Sequence, residues 1–204
     1  VRRVGISTNA SLLDRDHAEA ILWAGVDEVI LSVDSIHEQT YEKIRVGLDF
    51  GTVMDNAQNF FRYRDDINPE CQIWVRMIRQ ELNDLEWPEY RSYWAGYAYS
   101  TDRVDFRYIH NWGSQLSGFR AMNESDNTMP CVALWSLMTI FADGSVPLCN
   151  VDYNNKYPLG SVATHSIKDV WQSQEQQRRR EVHQNGERYK LPPCEHCTVW
   201  SEGK

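Results

Sequence analysis

Five cysteines are spread unevenly along the 204 residues: Cys71 stands alone, while Cys131, Cys149, Cys194 and Cys197 form the pattern C-x17-C-x44-C-x2-C. A C-x2-C pair lets two thiolates reach one metal centre from a single turn, and Pro192-Pro193 stiffens the approach to it. Two more ligands are needed. The turn at Asp143-Gly144 can return Cys149, and a loop at Pro130 can bring Cys131 alongside. Four soft thiolates bind zinc or an iron-sulfur cluster, and spacing alone does not separate the two. Cys71, at the start of an apolar run, reads as a core thiol.

The elements that must carry these groups differ between the two halves. Residues 4–8, 26–33, 72–79 and 103–110 have the alternation of strands, and helices are predicted between them. The first helix is capped at Asp14 or Asp16 and stopped by Gly25; the next covers residues 38–44 and ends at Gly47. A third starts with Thr52 as its cap and carries Val53, Ala57, Phe60 and Phe61 at helical spacing. Asn83 and Glu86 cap a fourth, in which Trp87, Tyr90, Trp94 and Tyr97 form a stripe that reads as core. Strands joined through helices argue for a parallel α/β sheet.

Fully buried parallel strands are apolar on both faces, and these are not. Ile73, Val75 and Met77 alternate with Gln72, Trp74 and Arg76, and Val104, Phe106 and Tyr108 with Asp105 and Arg107. One helix-facing side and one polar side fit an open or partial barrel whose lumen is a ligand site at the C-terminal strand ends. Solvated edge residues give the same periodicity. After residue 113 the pattern changes, so the chain divides into an α/β part over residues 1–113, a linker over 114–130 and a small α+β domain over 131–204. In that last part a β-hairpin is predicted from residues 137–141 and 146–148 around Asp143-Gly144, and a helix capped by Ser166 and Asp169 runs on toward Val182.

The 21 basic and 29 acidic residues give a net charge of -8, which disfavours nucleic acid as a partner. Residues 131–142, the longest apolar stretch, are interrupted by Ser136 and Thr139 and fall short of the about 20 residues that cross a bilayer, so no membrane association is expected. The N-terminus has no signal-peptide pattern and the cysteines form no disulfide framework, so a cytoplasmic location is expected. Without an initiator Met, the chain is expected to lack an N-terminal portion.

With these residues in place, the chain resembles the radical S-adenosylmethionine enzymes that carry a C-terminal SPASM or twitch auxiliary-cluster domain. Cys131, Asp143-Gly144, Cys149, Leu159-Gly160-Ser161, Ser166-Ile167-Lys168-Asp169-Val170-Trp171 and Pro193-Cys194-Glu195-His196-Cys197 follow the family's order. In the first half, Ser7-Thr8-Asn9-Ala10 is similar to its T-T-N-G strand end and Leu31-Ser32-Val33-Asp34 to its S-L-D strand. Tyr41-Glu42-Lys43-Ile44-Arg45 resembles the segment that follows, and His110-Asn111-Trp112-Gly113 the end of the last barrel strand. The family's C-x3-C-x2-C and G-G-E motifs do not occur; both belong upstream of Val1, so the resemblance implies a fragment that starts near the third strand of a partial (β/α)6 barrel and is inactive alone. Gly203 stands where the seven-cysteine form has a further cysteine, which implies one auxiliary cluster, as in the twitch form.

The resemblance also implies the chemistry. The auxiliary [4Fe-4S] cluster sits on Cys131, Cys149, Cys194 and Cys197; S-adenosyl-L-methionine and a second [4Fe-4S] cluster belong to the full-length protein, with a reductant such as flavodoxin or ferredoxin as partner. A 5′-deoxyadenosyl radical abstracts substrate hydrogen and the auxiliary cluster accepts an electron, for a net oxidation of a small alcohol or sugar-like molecule; peptide maturation is the alternative. Ser7, Asn9 and Ser32 are implied to contact the cofactor, and Arg45 and Arg76 its carboxylate or the substrate. His110, Asn111, Trp112 and Asp152 are the substrate-facing candidates. From another class, a non-enzymatic four-cysteine zinc module on an α/β domain fits the same thiols.

Overall fold

The computed structural model describes residues 2–113, 115–116, 129–195 and 197, so most of the expected linker, and Gly203, lie outside the described residues. The chain divides into two compact units, Val1–Ile109 and His110–Lys204. Among the described residues no helix is long and apolar enough to cross a membrane.

In the first unit four parallel strands, β1 (Gly5–Thr8), β2 (Glu28–Ser32), β3 (Gln72–Arg79) and β4 (Arg103–Tyr108), pair in sequence order. Between them lie α1 (Arg15–Trp23), α2 (Glu38–Ile44), α3 (Phe50–Ile67) and α4 (Trp87–Ala95). The register puts Val29 beside Ile73, and Leu31 beside Val75 and Val75 beside Val104. These β2 and β3 side chains are fully buried with Ala18, Leu22, Ala57, Phe60, Tyr90 and Trp94 from the helices. Each large apolar side chain taken out of water there contributes about 1.5–3 kcal/mol, which fixes which face of the sheet the helices cover.

The other face carries the polar side chains in rows. Ser32 lies beside Arg76 and Arg76 beside Asp105, and the Arg76 guanidinium donates to both Asp105 oxygens at 2.8 Å. Just beyond β2, Asp34 is 2% exposed and accepts from Arg45 Nε at 2.6 Å and from the Ile78 N–H at 2.7 Å. The end of β2 is thereby tied to the end of β3 and to the residue that follows α2.

Two predicted helix starts move. Asp49, not Thr52, caps α3: its Oδ1 accepts from the Thr52 N–H at 2.7 Å, so the helix starts earlier, at Phe50, which packs on Tyr41. Asn83 caps nothing helical; its amide donates to the carbonyls of Asp34 and Ile78 at 2.7 and 3.0 Å, and a 3-10 turn, Asp84–Glu86, precedes α4.

The second unit contains α5 (Ala133–Ser136), β5 (Ser145–Val146), β6 (Gly160–Ser161), α6 (Ile167–Trp171), α7 (Gln174–Gln184) and α8 (Pro192–Glu195). The turn at Asp143-Gly144 forms, with Gly144 at φ +82°, but the ribbon it feeds differs from the predicted one. β5 pairs antiparallel with β6, whereas residues 137–140 stay outside any strand. Gly144 and Ser161 explain the choice: the Val162 N–H and the Ser161 hydroxyl both donate to the Gly144 carbonyl, at 2.8 and 3.1 Å. The helix capped by Ser166 stops at Trp171, because Ser173 starts a new one by accepting from the Gln176 N–H.

Candidate metal centre

The four predicted ligands all lie in the second unit, and none of the described cysteines is in a disulfide. Cys194 is buried in an apolar cluster with Leu134, Leu148 and Leu191, and Cys149 packs against the same cluster. Burial pushes the Cys194 thiol up to about 12, and its neighbours Cys149, Cys197 and Cys131 push the same way. The Cys149 thiol rises to about 11 by burial, with Cys197 and Cys131 adding to it, while the N–H groups of Val151 and Asp152 approach its sulfur and oppose the rise. The other three cysteines thus act electrostatically on Cys194, and Cys131 and Cys197 on Cys149. Among the described residues no group of three His, Cys, Asp or Glu side chains is drawn tightly enough to hold a single metal ion. Soft thiol donors, two of them sharing an apolar wall, fit the donor chemistry of an iron-sulfur cluster.

Local structure delivers three of the ligands. α8 follows Leu191, and the Cys194 N–H donates to the Leu191 carbonyl at 2.8 Å. Cys149 follows β5, and the Asp152 N–H donates back to its carbonyl at 3.1 Å. Ahead of α5, the Cys131 N–H donates to Nδ1 of His183 at 3.1 Å. His183 is fully buried, and burial together with the Arg188 charge lowers its pKa to about 4, which keeps the ring neutral and Nδ1 an acceptor.

Gly113 sits between two ligand loops. At φ +61°, a Cβ on it would stand 2.9 Å from Val151 Cγ2 and 3.1 Å from the Pro193 carbonyl oxygen. Only glycine fits that position.

The other candidates of this unit are placed as follows. Asp152 is 1% exposed, and its two carboxylate oxygens accept from the N–H groups of Lys156 and Tyr157 at 2.9 and 3.0 Å, so it closes the loop after Cys149. The His110 ring lies 4.5 Å from that of Trp112, tilted by 52°, and accepts the Trp112 backbone N–H on Nδ1 at 3.1 Å; Trp112 also meets Tyr153 edge-on. Asn111 is buried, and its carbonyl accepts from the N–H groups of Gln115 and Leu116.

In the first unit, Ser32 and Arg76 share the polar row with Asp105, and Arg45 is held by Asp34. Ser7 is exposed on β1, beside Ile30 rather than in that row. Asn9 follows β1 and accepts from both the N–H and the hydroxyl of Ser11, at 3.0 and 2.8 Å.

Sequence reasoning missed Arg188. Its guanidinium reaches the carbonyls of Cys194 and Cys197, and no motif or periodicity marks an arginine six residues ahead of the pair.

Residues 131–198 match the family model SPASM, described as an iron-sulfur cluster-binding domain. No curated protein matches the chain. Among solved structures, native anSMEcpe with bound AdoMet and Kp18Cys peptide is similar at a TM-score of 0.63 and 14% identity, over 97% of this chain and 66% of that one. A hexahistidine-tagged anSMEcpe with bound AdoMet is similar at 0.61 and 14%, over 96% and 62%. The chain therefore spans about two thirds of the length of those proteins and shares their fold. Residues 131–198 thus match the SPASM iron-sulfur cluster-binding domain, in a chain that shares the fold of the AdoMet-bound anSMEcpe structures.

Proposed function

We propose that this chain is the auxiliary-cluster-bearing part of a radical S-adenosylmethionine oxidoreductase. The observation that carries the reading is the match of residues 131–198 to the SPASM iron-sulfur cluster-binding domain, which takes in Cys131, Cys149, Cys194 and Cys197, with Cys149 and Cys194 on one apolar cluster. A [4Fe-4S] cluster bound there supplies a one-electron site, which makes net oxidation of a substrate possible. The residues of the chain do the rest. The four thiols are the ligands, the Val151 and Asp152 amides stabilise the charge on Cys149, and Leu134, Leu148 and Leu191 keep water away. In the α/β unit, corresponding to strands 3 to 6 of the barrel, Ser32, Arg76 and Arg45 hold the polar groups of the S-adenosylmethionine or of the substrate, and Ser7 and Asn9 are further cofactor contacts. Asp105 and Asp34 fix the two arginines in one orientation each.

The four-cysteine count supports oxidation of a small alcohol or sugar-like substrate. A second reading, modification of a peptide, is favoured by the similarity to anSMEcpe, whose structure holds a Kp18Cys peptide. His110, Asn111, Trp112 and Asp152 remain the residues assigned to the substrate side.

The test is anaerobic purification and reconstitution with iron and sulfide. About four irons per chain with a brown chromophore is the expected result. A colourless chain with one zinc supports the zinc module instead. Cys→Ser variants at the four positions must each abolish loading, and full loading in any of them removes that residue from the ligand set.

A further inference from the structure

Arg188 opens a short 3-10 turn, Arg188–Lys190, and is only 1% exposed. Arginines ordinarily keep the guanidinium in water, so a buried one implies compensating polar groups. Nε and Nη2 donate to the carbonyl oxygen of Cys194 at 3.3 and 3.0 Å, and Nη2 also donates to the carbonyl oxygen of Cys197 at 3.3 Å. One planar edge therefore spans the backbone of both members of the C-x2-C pair. The loop between is closed as well: the Leu191 N–H donates to the Arg188 carbonyl at 3.0 Å, and the Cys197 N–H reaches the Cys194 carbonyl at 3.4 Å.

We infer that Arg188 is a positioning residue of the metal centre, holding the two tail cysteines at a fixed spacing and, through its buried charge, favouring the reduced state of a cluster bound there. The inference rests on the reading that the four cysteines hold an iron-sulfur cluster. A planar fork fixes two acceptors at once, which a flexible ammonium does not. A cluster that gains one electron becomes more negative by one charge, and a cation with little water around it stabilises that state with little screening.

The experiment uses the 204-residue chain, reconstituted anaerobically, with dithionite as the electron donor. Its midpoint potential is read by EPR-monitored titration, and iron release to a chelator by absorbance. Arg188→Met is expected to shift the midpoint to lower potential and to release iron at least about tenfold faster. Arg188→Lys keeps the charge but loses the fork, so its midpoint stays nearer wild type while its iron release is still accelerated. If Arg188→Met does not fold, Arg188→Lys decides by release rate alone. Wild-type release and midpoint in the folded variants overturn the inference while cluster binding stands. A wild-type chain that takes up no iron overturns the underlying reading, and the inference with it.

Discussion

The Arg64 guanidinium lies along the Asp102 carboxylate in two hydrogen bonds of 2.9 and 3.0 Å, with side-chain exposures of 1% and 0%. Asp102 also accepts the N–H groups of Ile73 and Tyr99, both at 2.8 Å, and Arg64 donates to the Cys71 carbonyl at 3.0 Å. The pair therefore joins α3 to the start of β3 and to the turn before β4. All four of these bonds to Asp102 come from N–H donors, so Asp102→Asn turns an amide NH2 against them and leaves a buried cation short of charge. Urea denaturation is expected to show a loss of about 3–5 kcal/mol. Asp65→Asn, at the exposed end of the same arginine, is expected to cost about 1 kcal/mol or less. Equal losses would show that burial does not set the strength of this pair.

Gly113 supplies the second prediction. Gly113→Ala places a methyl 2.9 Å from Val151 Cγ2 and 3.1 Å from the Pro193 carbonyl, at a φ of +61°. The left-handed backbone alone costs about 1–2 kcal/mol. The crowding falls on segments that carry Cys149 and Cys194, so iron content after reconstitution should drop together with the melting temperature. A variant that melts lower but loads fully would show that the two ligand segments yield independently.

Cys71 is the internal control for ligand assignment. It is 1% exposed in the core of the first unit, and burial raises its thiol to about 11. Cys71→Ser trades a soft buried thiol for a hydroxyl and should cost about 1–3 kcal/mol of stability while iron loading is unchanged. Cys149→Ser should show the opposite pattern, with loading lost. Loss of iron in Cys71→Ser, at a temperature where it is folded, would reopen the ligand set.

How much of this was legible in the sequence follows from the range of the interactions involved. The four strands of the first unit were readable because one face must be apolar: Ile73, Val75 and Met77 repeat at the pleat period and are all fully buried. Helix ends were less so. Asp49 competes with Thr52 for the same cap, and Asn83 is spent on the carbonyls of Asp34 and Ile78. The hairpin failed for a similar reason: the turn at Gly144 was local and correct, while the partner strand was chosen by Gly160–Ser161, distant in sequence. Thiol spacing marks the candidate ligands, but backbone acceptors have no letter in the sequence, so nothing in it marks the hold of Arg188 on the Cys194 and Cys197 carbonyls.

His110 contributes to the pH dependence of the second unit. Burial lowers its pKa below the ordinary value, and the neutral ring accepts the Trp112 N–H on Nδ1 at 3.1 Å. The unfolded chain takes up a proton at about pH 6.5, whereas the folded chain resists it. Below that value the unfolded state binds more protons, so the contribution of His110 is present in full above it and is lost as the pH falls through the window below. His110→Gln removes the titrating ring, so its unfolding midpoint should fall less steeply than wild type between about pH 7 and 5. The measurement is chemical unfolding followed by tryptophan fluorescence at each pH, as the difference between variant and wild type, which cancels the remaining histidines. Parallel curves across that range would mean that His110 takes its proton equally well in both states, and that its contact with Trp112 does not depend on the neutral form.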